Sequence, residues 1–280
     1  MDKLFIVDGS NLLFQMFYGM PARIVNKEGK AIQGTLGFVG ALLKMIRQVR
    51  PTHVVVLFDG EHHNERKDID ENYKANRPDF SQMPEEETPF SQLIDIYTAL
   101  DFLHIQYAET TMCETDDVVA AYALRYGKEM QVVISSFDSD FFQLITENVS
   151  VLRYRGENSC VCDCAYIREK LGVEPCQYAD FKALTGDNAD NIKGANKIGV
   201  KTAAALIKEF GSLDNLLENA EKITKKCARE SVIEARERLK INQRLITLHG
   251  CAILPFKLEE LSFMDTGATT NQTMTAIGLR

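Results

Sequence analysis

Three apolar, β-branched runs in this sequence each stop at an acid: residues 3–7 at Asp8, residues 53–58 at Asp59, and residues 131–135 shortly before Asp138 and Asp140. Asp138 and Asp140, two residues apart, can point to the same side of an extended chain. Glu114, Asp116 and Asp117 stand at the start of a helical pattern through residues 118–126, with Glu114 and Asp117 one turn apart. Asp187 and Asp190 repeat the three-residue spacing in Thr185-Gly186-Asp187-Asn188-Ala189-Asp190-Asn191. Taken singly, an Asp after a strand is a turn residue, and acids at a helix start are caps. Taken together at one edge of a sheet they need a cation, because carboxylates in contact raise one another's pKa. Hard oxygen donors with no accompanying His or Cys cluster point to Mg²⁺ or Mn²⁺. The chemistry suited to such a pocket is two-metal hydrolysis of a phosphodiester.

The elements that would position these acids follow from periodicity. Residues 34–49 and 89–103 carry apolar side chains at three- and four-residue spacing, as amphipathic helices do. Strands alternating with helices imply an α/β fold with a mostly parallel central sheet flanked by helices, and ligands gather beyond the C-terminal strand ends of such sheets. The stretch from about 61 to 87 is charged, poor in aliphatics and holds Pro78 and Pro84, too long for an ordinary connection. From 173 onward the pattern turns helical, with Gly-bearing turns and many lysines. The expected division is therefore 1–172 as an α/β domain, 173–260 as a helical region, and 261–280 as a poorly ordered polar tail.

Composition is that of a globular protein: 280 residues, 45% hydrophobic and 26% charged. No apolar run approaches a membrane span, and the N-terminus is no signal peptide, so a cytoplasmic protein is expected. The formal net charge of −8 argues against nucleic acid only if the acids are spread evenly. Seven cysteines without an export signal are expected as reduced thiols, and Cys160-Val161-Cys162-Asp163-Cys164 lacks the CxxC pairs of common zinc sites. No exposed heptad demands a partner chain, so a monomer is expected.

Six motifs, in order, resemble the bacterial 5′-nuclease family of 5′–3′ exonucleases and flap endonucleases, which includes the N-terminal domain of DNA polymerase I. They are Ile6-Val7-Asp8-Gly9-Ser10; Phe58-Asp59-Gly60; Tyr73-Lys74-Ala75-Asn76-Arg77-Pro78; Glu114-Thr115-Asp116-Asp117; Asp138-Ser139-Asp140 with Gln143-Leu144; and Leu184-Thr185-Gly186-Asp187 through Asp190-Asn191-Ile192. The resemblance runs from residue 4 to about 215 and implies a PIN-like fold. It implies a metal pocket of Asp8, Asp59, Glu114, Asp116, Asp117, Asp138 and Asp140, completed on its second-metal side by Asp187 and Asp190. Asp116 and Asp117 are catalytic on this reading, with two Mg²⁺ ions, replaceable by Mn²⁺.

The same resemblance makes the charged insertion a helical arch whose Lys74 and Arg77, with Arg66 earlier, contact the scissile phosphate, while Tyr73 stacks on an unpaired base. It makes residues 192–203 a helix–three-turn–helix element in which Lys193, Gly194, Lys197, Gly199, Lys201 and Thr202 bind duplex DNA. The family often holds a K⁺ ion at this hairpin; here Lys197 stands where it usually has Gly, and Ala195 where it usually has Val. The expected function is a structure-specific 5′-nuclease cutting at or near a 5′ end or flap junction of duplex DNA, or of an RNA–DNA hybrid, in primer or flap removal. No polymerase-length extension follows, so a free-standing protein is expected. The alternatives are a junction-binding relative with weak or no nuclease activity and a PIN-type RNA nuclease.

Overall fold

A computed structural model of the chain describes residues 2–60, 64–80 and 83–280. The apolar runs form the strands β1 (Lys3–Asp8), β2 (His53–Asp59), β3 (Gln106–Thr110), β4 (Gln131–Ser135), β5 (Val149–Arg153) and β6 (Cys160–Cys162). They make one sheet in the order β3-β2-β1-β4-β5-β6, parallel except where β6 runs against β5. The order reverses around β1, and the crevice at that switch lies beyond the ends of β1, β2 and β4.

Side chains alternate along β1: Leu4 and Ile6 enter one core, Phe5 and Val7 the other. Because both faces are covered, the central strands read as continuous apolar runs. One face is packed by α1 (Gly9–Gly19), α2 (Gln33–Val49) and, after the five-residue α3 (Glu65–Ile69), by α4 (Leu93–Phe102). In α2, Phe38, Leu42, Met45, Ile46 and Val49 form the buried stripe, and Arg50 ends the helix in a left-handed conformation. The other face is packed by α5 (Thr115–Tyr126), α6 (Cys164–Leu171) and the C-terminal helices.

Those helices are α7 (Tyr178–Thr185), α8 (Val200–Phe210), α9 (Leu213–Glu218), α10 (Lys226–Glu234) and α11 (Arg236–Ile246). Between α7 and α8 a small ribbon of β7 (Gly186–Asp187) and β8 (Ile192–Lys193) folds back on itself. The insertion expected as a helical arch has, among its described residues, α3, a run of turns through residues 71–76, 3₁₀ backbone at Phe80 and a 3₁₀ turn at Glu85–Glu87.

The tail expected to be poorly ordered is instead folded. Phe263 N–H donates to the Thr52 carbonyl at 2.8 Å, and Ser262 bridges His53 at the N-terminal end of β2. A final helix, α12 (Thr270–Ala276), packs on α2 and α4 with Met274 fully buried. The polar sequence hides this because few side chains, Met274, Ile277 and Leu279, carry the contact. Among the described residues no helix is long and apolar enough to cross a membrane.

Candidate functional site

The strand ends and the start of α5 bring four carboxylates within electrostatic reach of one another. Asp8 closes β1 and caps α1, its Oδ1 accepting the Asn11 N–H at 3.0 Å and its Oδ2 the Ser136 hydroxyl at 2.8 Å. Ser136 in turn accepts the Asp138 N–H at 2.9 Å, which ties the turn after β4 to the end of β1. Asp59 ends β2, where its N–H donates to the Ser10 hydroxyl at 2.8 Å. Asp116 reaches the same place from the first turn of α5, anchored by the Thr110–Thr115 hydroxyl contact at 2.7 Å beside the end of β2. Burial and the neighbouring Asp59 push the Asp8 carboxyl up to about 7. Burial pushes Asp116 far above the usual carboxylate range, aided by Asp138, Asp59 and Asp8 and opposed by Lys74. None of these four acids forms an ion pair with a described residue.

A second group of acids lies alongside. One carboxylate oxygen from each of Asp140, Asp187 and Asp190 falls within 4.8 Å of the other two. Unlike the first four, these already have cations. Lys182, from α7, pairs with Asp140 and with Asp187 (2.6 Å) and hydrogen bonds to Ser139 at 3.3 Å. Arg77 donates to Asp190 Oδ1 at 2.9 Å, and the Tyr73 hydroxyl to Oδ2 at 3.4 Å. Burial still pushes Asp140 up to about 7, against the pull of Lys182. Asp187 is less enclosed, and there Lys182 outweighs burial and holds the carboxyl low. The ribbon fixes this group sterically: Gly186 has φ +80°, and a Cβ there would lie 2.5 Å from the Gly194 nitrogen.

Glu114 and Asp117, expected as metal ligands, are instead engaged by Arg66. Its Nη1 donates to Glu114 (2.7 Å) and Asp117 (2.8 Å), and its Nη2 to Asp117 (3.0 Å) and the Thr247 carbonyl (3.3 Å). Its Nε donates to the Leu245 carbonyl at 2.9 Å, so all five N–H groups are used. Glu114 also accepts from Asn64 (3.0 Å) and Lys74 (2.9 Å). Burial raises the Glu114 carboxyl, but Lys74 and Arg66 together hold it below its usual range. Asp117 takes a further bond from the His249 N–H at 2.8 Å. Arg66 is thus a buried clamp rather than a phosphate contact on an arch, because these two carboxylates outcompete solvent for it. Tyr73, expected to stack on a base, is buried at 4% exposure in the core, with its hydroxyl toward Glu114 and Asp190.

Lys74 and Arg77 do stand beside the acids. The Lys74 ammonium lies against Glu114 and over the Tyr73 ring at 4.8 Å, and the Arg77 side chain is half exposed. Lys74 holds φ +56°, a strained conformation for a side chain of this kind, with its N–H on the Asp190 carbonyl at 3.0 Å. On the α7–α8 hairpin, Lys193, Lys197 and Lys201 are all exposed. Gly199 precedes α8 with open space around it, and the first α8 N–H groups have no side-chain cap. Thr202, half-buried, donates its N–H to the Gly199 carbonyl at 3.0 Å. Gly194 has a packing reason of its own: a Cβ there would lie 2.4 Å from the Leu184 carbonyl oxygen. Lys197 adopts φ +59°, the left-handed turn a glycine would take.

Sequence reasoning missed Lys182, Ser136, Asn64 and Asn11. Lys182 had one signal, a lysine on the inward stripe of α7, where Phe181, Ala183 and Leu184 are also buried. The seven cysteines are free thiols, and those of the CxCxC tract share no metal-ligand cluster among the described residues.

Residues 3–172 match the family described as 5′-3′ exonuclease, N-terminal resolvase-like domain, and residues 173–268 match 5′-3′ exonuclease, C-terminal SAM fold. The chain is 32% identical to a 5′-3′ exonuclease of Aquifex aeolicus over 93% of its own length and 86% of the relative's. It is 35% identical to DNA polymerase I of Rhizobium leguminosarum over 93% of the chain but 26% of that protein. The chain thus spans about a quarter of the length of the DNA polymerase I relatives it matches. Its fold is similar to that of bacteriophage T5 flap endonuclease, solved as a pseudo-enzyme–product complex with DNA and metal ions, at a TM-score of 0.70 and 23% identity, covering 87% of this chain and 88% of that one.

Proposed function

The chain belongs to the 5′-3′ exonuclease family over both of its domains, and from that premise we propose that it is a metal-dependent 5′-nuclease acting at 5′ ends and flap junctions of duplex DNA. The observation that carries this reading is the set Asp8, Asp59, Asp116 and Asp138: one buried, two half-buried and Asp59 exposed at the end of β2, gathered at one sheet edge with no ion pair to a described residue. An all-carboxylate pocket of this kind fits a hard divalent ion, and Mg²⁺ is the proposed one, with Mn²⁺ able to replace it. Asp8, Asp59, Asp116 and Asp138 would hold one ion, and Asp140, Asp187 and Asp190 the second. Bound there, the cations would lower the pKa of an attacking water and neutralise charge on the transferring phosphoryl group.

The chain's own residues supply positioning. Lys74 and Arg77, at the rim of the acids, are placed to take phosphate oxygens as charge develops on them. Arg66 fixes the start of the arch segment to α5, to the end of α11 and to the loop after it, which supports a set distance between Lys74, Arg77 and the acids. The exposed lysines and uncapped N–H groups at the start of α8 suit duplex phosphates. The left-handed turn at Lys197 supports keeping the hairpin geometry on which a K⁺ site there depends. A monomeric cytoplasmic protein that removes flaps or primers, RNA–DNA hybrids included, goes with this reading.

The test is cleavage of a 5′-labelled flap duplex in Mg²⁺, with and without EDTA, for the wild type and Asp116→Ala. Cutting at the junction that needs metal and is lost in the variant is expected. Tight flap binding by the wild type with no cutting in Mg²⁺ or Mn²⁺ would replace the nuclease with a junction-binding protein.

A further inference from the structure

The two groups of acids differ in one respect that bears on how cations enter the site. Asp8, Asp59, Asp116 and Asp138 form no ion pair with a described residue, whereas Asp140 and Asp187 share the ammonium of Lys182. Lys182 is itself buried, at 7% exposure, and its three donors go to Asp140, Asp187 and the Ser139 hydroxyl. It therefore has no route to water that keeps these contacts. It pairs with two members of the only carboxylate cluster whose oxygens, among the described residues, already lie within metal-binding reach of one another.

We propose that Lys182 is an internal counter-cation that competes with the second divalent ion for Asp140 and Asp187, and so sets the affinity of that half of the site. The proposal rests on the reading that these acids bind metal. An ammonium and a divalent ion cannot both occupy the inner oxygens of the same two carboxylates, since like charges at contact distance repel strongly in a buried pocket. Metal entry must push Nζ off Asp140 or Asp187, and that loss is subtracted from the binding free energy. In the first group no described ion pair has to break, since Lys74 and Lys182 act on Asp116 and Asp138 without pairing with them. Two cations added to the free protein should thus bind with unequal affinity, the weaker at Asp140, Asp187 and Asp190. Without a second metal, Lys182 keeps the buried Asp140 paired, which lets the empty half of the pocket stay folded.

The test is titration of the DNA-free protein with Mn²⁺, following free Mn²⁺ by electron paramagnetic resonance and heat by calorimetry. Wild type is compared with Lys182→Met, which keeps the length of the side chain and removes the charge, and with Lys182→Arg, which keeps the charge. The Met variant should bind its weaker Mn²⁺ at least about tenfold more tightly, equivalent to about 1.4 kcal/mol. The Arg variant should stay near wild type, and Mn²⁺ should raise the melting temperature of the Met variant more than that of the wild type. If Lys182→Met does not fold without metal, Lys182→Gln, whose amide can still donate to Asp140, takes its place in the same titration. Weaker-site affinity that is unchanged or lower on loss of the charge would overturn the competition. Absence of any Mn²⁺ binding by wild type, with Asp116→Ala no different, would instead remove the metal reading beneath it.

Discussion

The Arg66 guanidinium spends every N–H inside the fold, on two carboxylates and two carbonyls. Arg66→Met would leave Asp117 buried without its ion partner beside Glu114, which keeps Lys74, so its unfolding free energy in urea should fall by about 3–5 kcal/mol. Arg66→Lys keeps one charge but cannot reproduce the fork, and should recover only part of that loss. A Met variant as stable as wild type would mean the network contributes nothing. Protonation gives a second residue-scale expectation. Folded Asp8 keeps its proton to about pH 7, against 3.8 ordinarily, and burial is the main cause. Between those values the folded state binds more protons than the unfolded one, so its contribution to stability is lost as pH rises through that window. Asp140 acts in the same direction, whereas Glu114 and Asp187, held low by their cations, stabilise above the usual carboxylate range and lose that on acidification. Thermal melts of EDTA-treated protein should therefore show Asp8→Asn gaining stability relative to wild type as pH goes from 5 to 8, by on the order of 1–3 kcal/mol. Added Mg²⁺ should stabilise wild type more at pH 8 than at pH 5, because the ion needs the carboxylates ionised. A relative stability of Asp8→Asn that does not move with pH would remove burial of that charge as the cause.

Elements differ in how much of themselves the sequence discloses. The acids after β1, β2 and β4 were legible because an apolar run that ends in Asp marks a strand end, and parallel sheets gather such ends on one edge. The split of the acids between bare and paired was not legible. Arg66 meets Glu114 and Asp117 across 48 and 51 residues, and Lys182 meets Asp140 across 42, separations that local patterns do not report. Tyr73 misled for the same reason: a motif gives the residue's neighbours in sequence, while its burial depends on α5 and the ribbon. The tail was misread although it carried a local signal. Thr269-Thr270-Asn271-Gln272 spells a capping box, which the structure forms at the start of α12. Since Met274 is the fully buried anchor of that helix, Met274→Ala should lower stability by about 2–4 kcal/mol in denaturant unfolding. A change under about 0.5 kcal/mol would mean that α12 does not hold to the body of the protein. The hairpin offers the opposite case. Lys197 sits in a left-handed turn that costs a residue with a side chain about 1 kcal/mol, so Lys197→Gly should gain stability by a similar amount, less the added flexibility of the unfolded chain.

At the scale of the molecule, a net charge of −8 has to be reconciled with the polyanionic substrate proposed for it. Seven of the 40 acidic residues, Asp8, Asp59, Asp116, Asp138, Asp140, Asp187 and Asp190, belong to the proposed metal pocket, and setting them aside leaves 33 acids against 32 basic residues. The remaining surface is close to neutral overall, so attraction to DNA has to be local rather than a property of the whole field. The local candidates are the exposed Lys193, Lys197 and Lys201, clustered on one hairpin on the C-terminal side of the sheet edge that carries the acids. Each phosphate they neutralise should contribute about 0.9 to the slope of log affinity against log salt. Replacing all three by Ala should then lower that slope by about 2–3 and weaken flap binding at low salt, measured by anisotropy in Ca²⁺ to prevent cutting. Turnover at saturating substrate should change little, because these exposed lysines form no described ion pair with the acids and act on duplex capture; the loss should therefore fall on KM. An unchanged slope would place duplex capture elsewhere, and a fall in kcat with KM intact would mean that the hairpin shapes the acid pocket through Asp187 and Asp190 rather than holding DNA.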